Sequence, residues 1–353
     1  MITLVFDWGN TLFKVFPGMN GPMKDWPKIE PMPGIREALE KITGSYRLVI
    51  ASNSQDSNSD QVRDVLIRVG LDTYFDKVYT IAEIGYSKPE PQFFEKVTAM
   101  LSEEDDNLIM IGNDYQQDIC AAVDSGWYAG WYTPQAKPCP GLLPFQQFEI
   151  ISWEGLSEQL RNIELPSYQT AISWLVTNRA NTSLLLHSQA VAAVSYLLGV
   201  WLRNKGLPVD AIVAHRGGLL HDIAKLNKRD PNDFEMDHAE IGSRILLEKN
   251  QPILAGIARS HLISSLYNDE RCPRTWEQKI VHYADKIVEG SSVVMLEERI
   301  QAICKRYPHD IERILGSVAG VKQLQLEICN ILELSPDGLK ERINEALMST
   351  TEE

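Results

Sequence analysis

The chain has no histidine before position 187; all seven lie between His187 and His309. So clean a break in composition points to two regions with different chemistry. Cysteine is also sparse. Five residues (120, 139, 272, 304 and 329) are scattered, odd in number and never in a CxxC pair, which excludes a disulfide framework and a thiolate zinc site and fits a reducing compartment. Long apolar runs are missing: the richest stretch, Leu184–Leu202, is interrupted by His187, Ser188, Gln189 and Ser195. The opening MITLVFDWGN has no basic segment ahead of its apolar run, so no signal peptide is expected and a cytoplasmic location is. Positive charge is short too: 34 Lys and Arg face 48 Asp and Glu, a net charge of −14. The first 160 residues hold 12 basic and 23 acidic side chains and the remainder 22 and 25. A broad basic face for duplex nucleic acid or an anionic membrane is therefore not expected, although a local groove in the second half stays open.

What is present is ordinary globular material, 44% hydrophobic and 23% charged, and 353 residues suffice for two cores. In the first half, apolar runs at 2–6, 46–52 and 107–112 alternate with amphipathic stretches at 34–43, 59–69 and 91–101, the pattern of a parallel sheet with crossover helices. In the second half, helical spacing covers 183–205, 209–225, 238–249 and 276–289, and strand-like alternation is scarce. The spacing predicts an α/β domain over 1–162 followed by an all-α domain over 168–353, divided in the polar, proline-containing stretch between Asn162 and Asn181.

Polar residues just past parallel strands fall along the carboxyl edge of the sheet, where such folds place their sites. Asp7 follows the first run, Ser52 and Asn53 end the second, Lys88 opens SKPEPQFF, and Asp114 and Asp118 follow the third in IGNDYQQDI. A carboxylate can attack phosphorus, acids can hold a divalent ion, and a hydroxyl and a lysine can take the remaining phosphate oxygens. Over about 1–135 this spacing resembles the haloacid dehalogenase-like (HAD) superfamily. The resemblance implies a Rossmann-like parallel sheet with Asp7 as nucleophile. It also implies Mg2+ held by Asp7, the Gly9 carbonyl and Asp114, with phosphate bound by Ser52, Asn53, Lys88 and Asp118. Three departures bear on activity. Phosphatases of the family carry a second aspartate two positions after the nucleophile, where this chain has Gly9, and losing positioned proton transfer removes about 10² to 10⁴ in rate. Asn113 and Asp114 both fit a family spacing for the metal-side residue. Between Thr11 and Tyr46 there is room only for a loop and one short helix, so the domain is expected to be capless. We therefore expect a HAD-like site with little or no turnover.

The histidines supply a second constellation: His187 in LLLHSQAVAAV, His221 and Asp222 in GGLLHDIAKL, His238 in MDHAEIGSRIL, His261 in IARSHLISS and Asp285 in HYADKIVEG. Imidazoles with carboxylates suit Fe, Mn, Co or Mg, and an adjacent His-Asp facing inward buries a charge that a metal would offset. The series resembles the HD-domain metal-dependent phosphohydrolase superfamily over roughly 180–300, and within it the enzymes that split diadenosine tetraphosphate. The resemblance implies two ions. His187, His221, Asp222 and Asp285 would hold the first, with Asp222 shared with His238 and His261 at the second, and metal-activated water would attack phosphorus in line. Lys225, one turn after Asp222, is a candidate for substrate phosphate or for a salt bridge. His215 and His309 fall outside the pattern; His282 shares a helical face with Asp285, with a packing role favoured.

Together these readings give a metal-dependent phosphohydrolase acting on a small nucleotide, with diadenosine polyphosphate the best single substrate. Two alternatives stand beside it. One is end-processing of RNA or other nucleic acid by both domains, which the net charge opposes. The other is a non-catalytic nucleotide sensor.

Overall fold

The computed structural model describes residues 2–101, 107–227 and 236–349. It divides into two compact units: Met1–Ala136 with Phe145–Glu164, and Lys137–Pro144 with Leu165–Glu353.

In the first unit, β1 (Ile2–Phe6), α1 (Ile35–Ile42), β2 (Arg47–Ala51), α2 (Ser59–Val69), β3 (Lys77–Tyr79), α3 (Ile81–Ile84) and α4 (Pro91–Met100) are followed by β4 (Asn107–Gly112), α5 (Ala121–Asp124), β5 (Tyr128–Tyr132), β6 (Phe148–Ile150) and α6 (Leu156–Gln159). The six strands form one parallel sheet in the order β3-β2-β1-β4-β5-β6. Its central strands are apolar at almost every position because both faces are covered. Leu4, Phe6, Ile50 and Ile111 pack into one core, while their neighbours Val5, Val49 and Met110 point into the other. From Thr11 to Tyr46 the chain holds one 3₁₀ turn (Met23–Asp25) and α1, so there is no helical cap in this stretch. The sheet order reverses direction at β1, with β2 on one side and β4 on the other. That switch point brings the residues after all three strands to one edge.

The second unit is helical: α7 (Tyr168–Thr177), α8 (Thr182–Asn204), α9 (Ala211–Leu220), α10 (His238–Glu248), α11 (Pro252–Ser260), α12 (Trp276–Asp285), α13 (Leu296–Arg306), α14 (Ile311–Leu332) and α15 (Pro336–Ser349), with a two-stranded hairpin of β7 (Val288–Glu289) and β8 (Ser292–Val293). α8 is long and apolar enough to cross a bilayer by length and composition, but about two thirds of that stretch is buried inside this unit, where it packs on α9 and α12. Gly217 and Gly218 permit that packing. A Cβ at Gly218 would lie 2.9 Å from the Cα of Ala192 in α8, and one at Gly217 would lie 2.6 Å from Ile257 in α11. The end of α9 is thereby drawn into the centre of the unit.

Three expectations are corrected. The helix expected over 209–225 stops at Leu220, and residues 221–226 form tight turns in which Ile223 N–H donates to Leu220 O and Lys225 N–H to Asp222 O. The helix expected over 276–289 stops at Asp285, because the β-branched residues on either side of Gly290, which has a positive φ of 61°, make the hairpin. Finally, residues 137–144 belong to the helical unit although they precede any boundary at 162–168. Cys139 N–H donates to Tyr196 Oη of α8 at 2.9 Å, and the buried guanidinium of Arg216 in α9 donates to the carbonyls of Pro144 (2.7 Å) and Pro166 (3.0 Å). Such long-range clasps leave no periodic mark in a sequence.

Candidate functional site

In the helical unit, five of the six marked residues sit at helix ends or just beyond them: His221 and Asp222 after α9, His238 opening α10, His261 after α11 and Asp285 closing α12. His187 alone is inside a helix. Asp237 caps α10, accepting from Glu240 N–H, and its other oxygen pairs with Arg271, so this arginine holds the turn that presents His238.

The ligand atoms converge on Asp222. Its Oδ1 lies 3.2 Å from His238 Nε2 and 3.3 Å from His261 Nε2; its Oδ2 lies 3.3 Å from His221 Nε2. Asp285 Oδ1 is 3.1 Å from His187 Nε2 and 3.7 Å from His221 Nε2. Two three-residue groups capable of holding an ion result, His187–His221–Asp222 and Asp222–His238–His261, with Asp222 common to both. Bonds of about 2.1 Å at tetrahedral or octahedral angles place neighbouring ligand atoms about 3.0–3.4 Å apart, which is the spacing found here.

Three imidazoles are fixed in one tautomer. His187 Nδ1 meets Gly290 O at 3.0 Å, His221 Nδ1 meets Gly218 O at 2.7 Å, and His261 Nδ1 meets Ala258 O at 2.6 Å. A carbonyl only accepts, so each Nδ1 carries a proton, and in the neutral ring Nε2 turns a lone pair inward. His221 Nε2 and Asp222 Oδ1 are buried and have no hydrogen-bond partner among the described residues. Each such orphan costs about 1–3 kcal/mol, more when charged, against a domain stability of about 5–15 kcal/mol. A cation removes both costs at once, and the residues fit a divalent metal. The electrostatics agree. Burial alone would depress His221, but Asp222 and Asp285 outweigh it and hold its pKa up to about 9, so the carboxylates attract a proton where they would attract an ion. At His261 burial wins and the pKa falls to about 4, leaving a neutral imidazole.

Two residues that sequence spacing did not single out complete the centre. Lys286 Nζ donates to Asp285 Oδ2 and to His261 O (2.9 Å), and Arg299 of α13 donates to Asp285 Oδ1 and to its carbonyl, both at 3.0 Å. Lys286 adjoins Asp285 in the ADKI motif, whereas nothing in the sequence ties Arg299 to it. Lys225 pairs with Asp222 Oδ2, so its salt-bridge role is present, and it also lines the cavity of about 260 Å³ that opens over the centre. Arg306, Tyr307 and Arg313 line the same cavity from α13 and the residues that follow it. His282 lies outside the ligand groups, buried, with Nδ1 on Ser260 O. His215 is buried against Arg216.

In the first unit the residues after β1, β2 and β4 line a cleft of about 460 Å³. Lys88 Nζ bridges Asp7 Oδ1 (2.7 Å) and Asp118 Oδ1. Burial alone would depress this lysine, but the two carboxylates outweigh it and hold it above the usual range; burial pushes Asp118 up to about 6. A side chain at Gly112 would run into the Asp118 carboxylate, so glycine at the end of β4 makes room for it. Thr11 Oγ1 lies 3.1 Å from Asp7 Oδ2 and 3.0 Å from Asn113 Oδ1, and its single proton serves only one of them. The unserved oxygen leaves a hard acceptor set fitting Mg2+. Asp114 is not brought to this set. Its Oδ1 accepts from Gln116 and Gln117 N–H and its Oδ2 from Gln117 Nε2, so of the two alternatives Asn113 is the one beside Asp7. Ser52 reaches the cleft with its hydroxyl accepting from Ser54 N–H. Asn53 lines the cleft and its side chain holds backbone: its Oδ1 accepts from Lys88 N–H and its Nδ2 donates to Lys88 O, which fixes the lysine.

Residues 8–129 match the haloacid dehalogenase-like hydrolase family, and residues 184–289 match the HD domain family. The chain carries a HAD-like domain followed by an HD domain. A 177-residue stretch is 27% identical to an uncharacterized protein of Methanocaldococcus jannaschii, over 47% of this chain and 99% of that one. The chain is 29% identical to a glyceraldehyde 3-phosphate phosphatase of Methanothermobacter thermautotrophicus, over 29% of this chain and 44% of that protein. It is also 29% identical to an Escherichia coli pyrimidine 5'-nucleotidase, over 32% of this chain and 50% of that one. An uncharacterized protein of Listeria monocytogenes of known structure covers 46% of this chain and 99% of its own at 23% identity, with a TM-score of 0.41. The chain thus spans half or less of the length of the phosphatase and nucleotidase relatives. The HAD-like and HD domains, with phosphatases among the relatives, support a phosphohydrolase enzyme.

Proposed function

We propose that the HD domain is the principal catalytic unit, a phosphohydrolase dependent on two divalent ions (Fe, Mn, Co or Mg), and that the HAD-like domain turns over little. The observation that carries this reading is the shared carboxylate of Asp222, flanked by His221 and His187 on one side and by His238 and His261 on the other, with two buried ligand atoms lacking partners among the described residues. Divalent ions bound there would activate water at neutral pH and neutralise charge developing on phosphate. The side chains have separable tasks. Arg299 and Lys286 hold Asp285 in place, the backbone carbonyls set the imidazole tautomers, and Lys225 stands between Asp222 and the cavity, in position to meet a substrate phosphate.

The substrate in this reading is a nucleotide cleaved at a phosphoanhydride or phosphoester, and diadenosine polyphosphate is the best single choice. Lys225, Arg306 and Arg313 around one cavity favour several phosphates, and Tyr307 offers a ring for a base. The relatives named as a phosphatase and a nucleotidase favour a small phosphorylated substrate. Five free thiols fit the cytoplasm. The test is elemental analysis of protein purified without chelator or metal resin, beside a His221→Ala/Asp222→Ala variant, followed by a nucleotide screen with the metal found. About two ions per chain, lost in the variant, are expected together with hydrolysis; absence of bound metal and of turnover with any added divalent ion would overturn the reading.

A further inference from the structure

The HAD-like cleft has a nucleophile position but no side chain at residue 9, two positions on, where an acid or base would face the leaving group, and the structure says what borders that place. Among the described residues, the heavy atom nearest to a Cβ built on Gly9 is Val15 Cγ2, at 3.1 Å, and no other from outside its immediate neighbours comes within 4 Å. Met19, Met23 and Trp26 continue this apolar side of the cleft. The other carboxylates that line it are engaged. Asp56 Oδ1 accepts from the hydroxyls of Ser54 and Ser57, Asp114 accepts from the turn it begins, and Asp118 is paired with Lys88. Asp7 itself is held in place, with Lys88 Nζ on one oxygen, Thr11 Oγ1 3.1 Å from the other and Ser52 on the same cleft.

We propose that this domain is a phosphoryl acceptor: Asp7 takes a phosphoryl group from a donor whose leaving group is a weak base, an acyl or aryl phosphate, and keeps it as a long-lived acyl phosphate. The forward step forms a bond from an Asp7 carboxylate oxygen to phosphorus and breaks the phosphorus–oxygen bond to the leaving group. The leaving group departs with the electron pair as a carboxylate or phenolate. A carboxylate needs no proton at neutral pH, and a phenolate, with a pKa of about 10, is a weak enough base to leave unprotonated and take its proton from water afterwards. An acid at position 9 is therefore dispensable for these donors alone; an alkyl ester, whose alkoxide must be protonated as it leaves, is excluded. Lys88 and Ser52 are placed to take the oxygens of the transferred group. Hydrolysis of the product requires water to attack phosphorus while a base takes its proton, and the valine methyl bordering that position accepts none. Formation is therefore retained and breakdown slowed. This inference is independent of the HD centre.

The test is intact-mass measurement of the full-length protein after incubation with acetyl phosphate and Mg2+ and rapid removal of the donor. The expected result is a gain of one phosphoryl group, discharged by hydroxylamine, absent in Asp7→Asn, and outlasting the same adduct in Gly9→Asp by about 10²-fold or more. In that variant the new Cβ meets only the exposed Val15 among the described residues, and the restored base is expected to hydrolyse the adduct. Retained metal content and melting temperature in Asp7→Asn show that it is folded. No adduct on the natural sequence, an adduct that persists in Asp7→Asn, or an adduct as short-lived as that of Gly9→Asp would each overturn the proposal.

Discussion

The two sites of this chain solve opposite electrostatic problems. In the HAD-like cleft the carboxylates lean on donors of the chain itself: Lys88 bridges Asp7 and Asp118, Asp114 N–H serves the other oxygen of Asp118, and the Thr11 hydroxyl is divided between Asp7 and Asn113. In the HD domain, the outer atoms of the ligands are tied down by carbonyls, Lys286 and Arg299, while His221 Nε2 and Asp222 Oδ1 lack hydrogen-bond partners among the described residues. The first site is largely neutralised by its own lysine, with one acceptor left over; the second holds buried ligand atoms that a cation would satisfy. Burial sharpens the contrast, because an unpartnered charge costs far more in a dry interior than in water. An orphaned ligand atom is thus a better pointer to a metal centre than the mere presence of acids and histidines.

Removing Asp222 should break the contrast most completely. Asp222→Ala takes the shared ligand from both groups, and loss of bound metal together with a fall of about 10³-fold or more in hydrolysis is expected, read by elemental analysis and kcat. Next, Gly9→Asp should raise release of phosphate from an alkyl phosphate monoester by about 10²-fold, since it supplies the missing proton donor to an otherwise assembled cleft. No gain in a folded variant would mean that more than this one group has been lost. Arg299→Ala, which leaves every ligand in place and frees Asp285, is expected to weaken metal binding by about 10–100-fold, measurable by chelator competition.

A pH dependence with opposite signs in the two metallation states is the subtlest of these effects in any one pH step. In metal-free protein His221 is held at about 9 against an ordinary 6.5. Its folded pKa is raised, so the stability it contributes is full below about 6.5 and is lost as pH rises through about 9. Metal binding must displace that proton, so apparent metal affinity should rise about tenfold per pH unit over the same interval. Melting curves with and without metal across this range would separate the two trends; parallel trends would mean that His221 is not a ligand.

Much of the architecture is legible in the order of the residues alone. Residues 2–6, 47–51 and 107–112 are apolar at successive positions because central parallel strands are buried on both faces, and α2 spans 59–69 as its amphipathic spacing predicts. The two three-residue strands β3 and β6 are not legible in this way, being too short for a period to register. At the metal centre the spacing overshoots the helix ends in one direction. Apolar positions continue past Leu220 and Asp285, but the backbone leaves the helix there, where His221 binds a carbonyl of its own helix and Arg299 reaches the carbonyl of Asp285.

The sequence by itself determined the class of each domain and the chemistry available to each, since burial period and residue type are local properties of the chain. Only the tertiary structure decided which of Asn113 and Asp114 stands beside Asp7, that Asn53 holds backbone, that Arg299 belongs to the centre, and that residues 137–144 join the helical unit. Each of these depends on a hydrogen bond or ion pair, and side-chain direction over a few ångströms is set by packing between segments far apart in the chain, which no local pattern encodes.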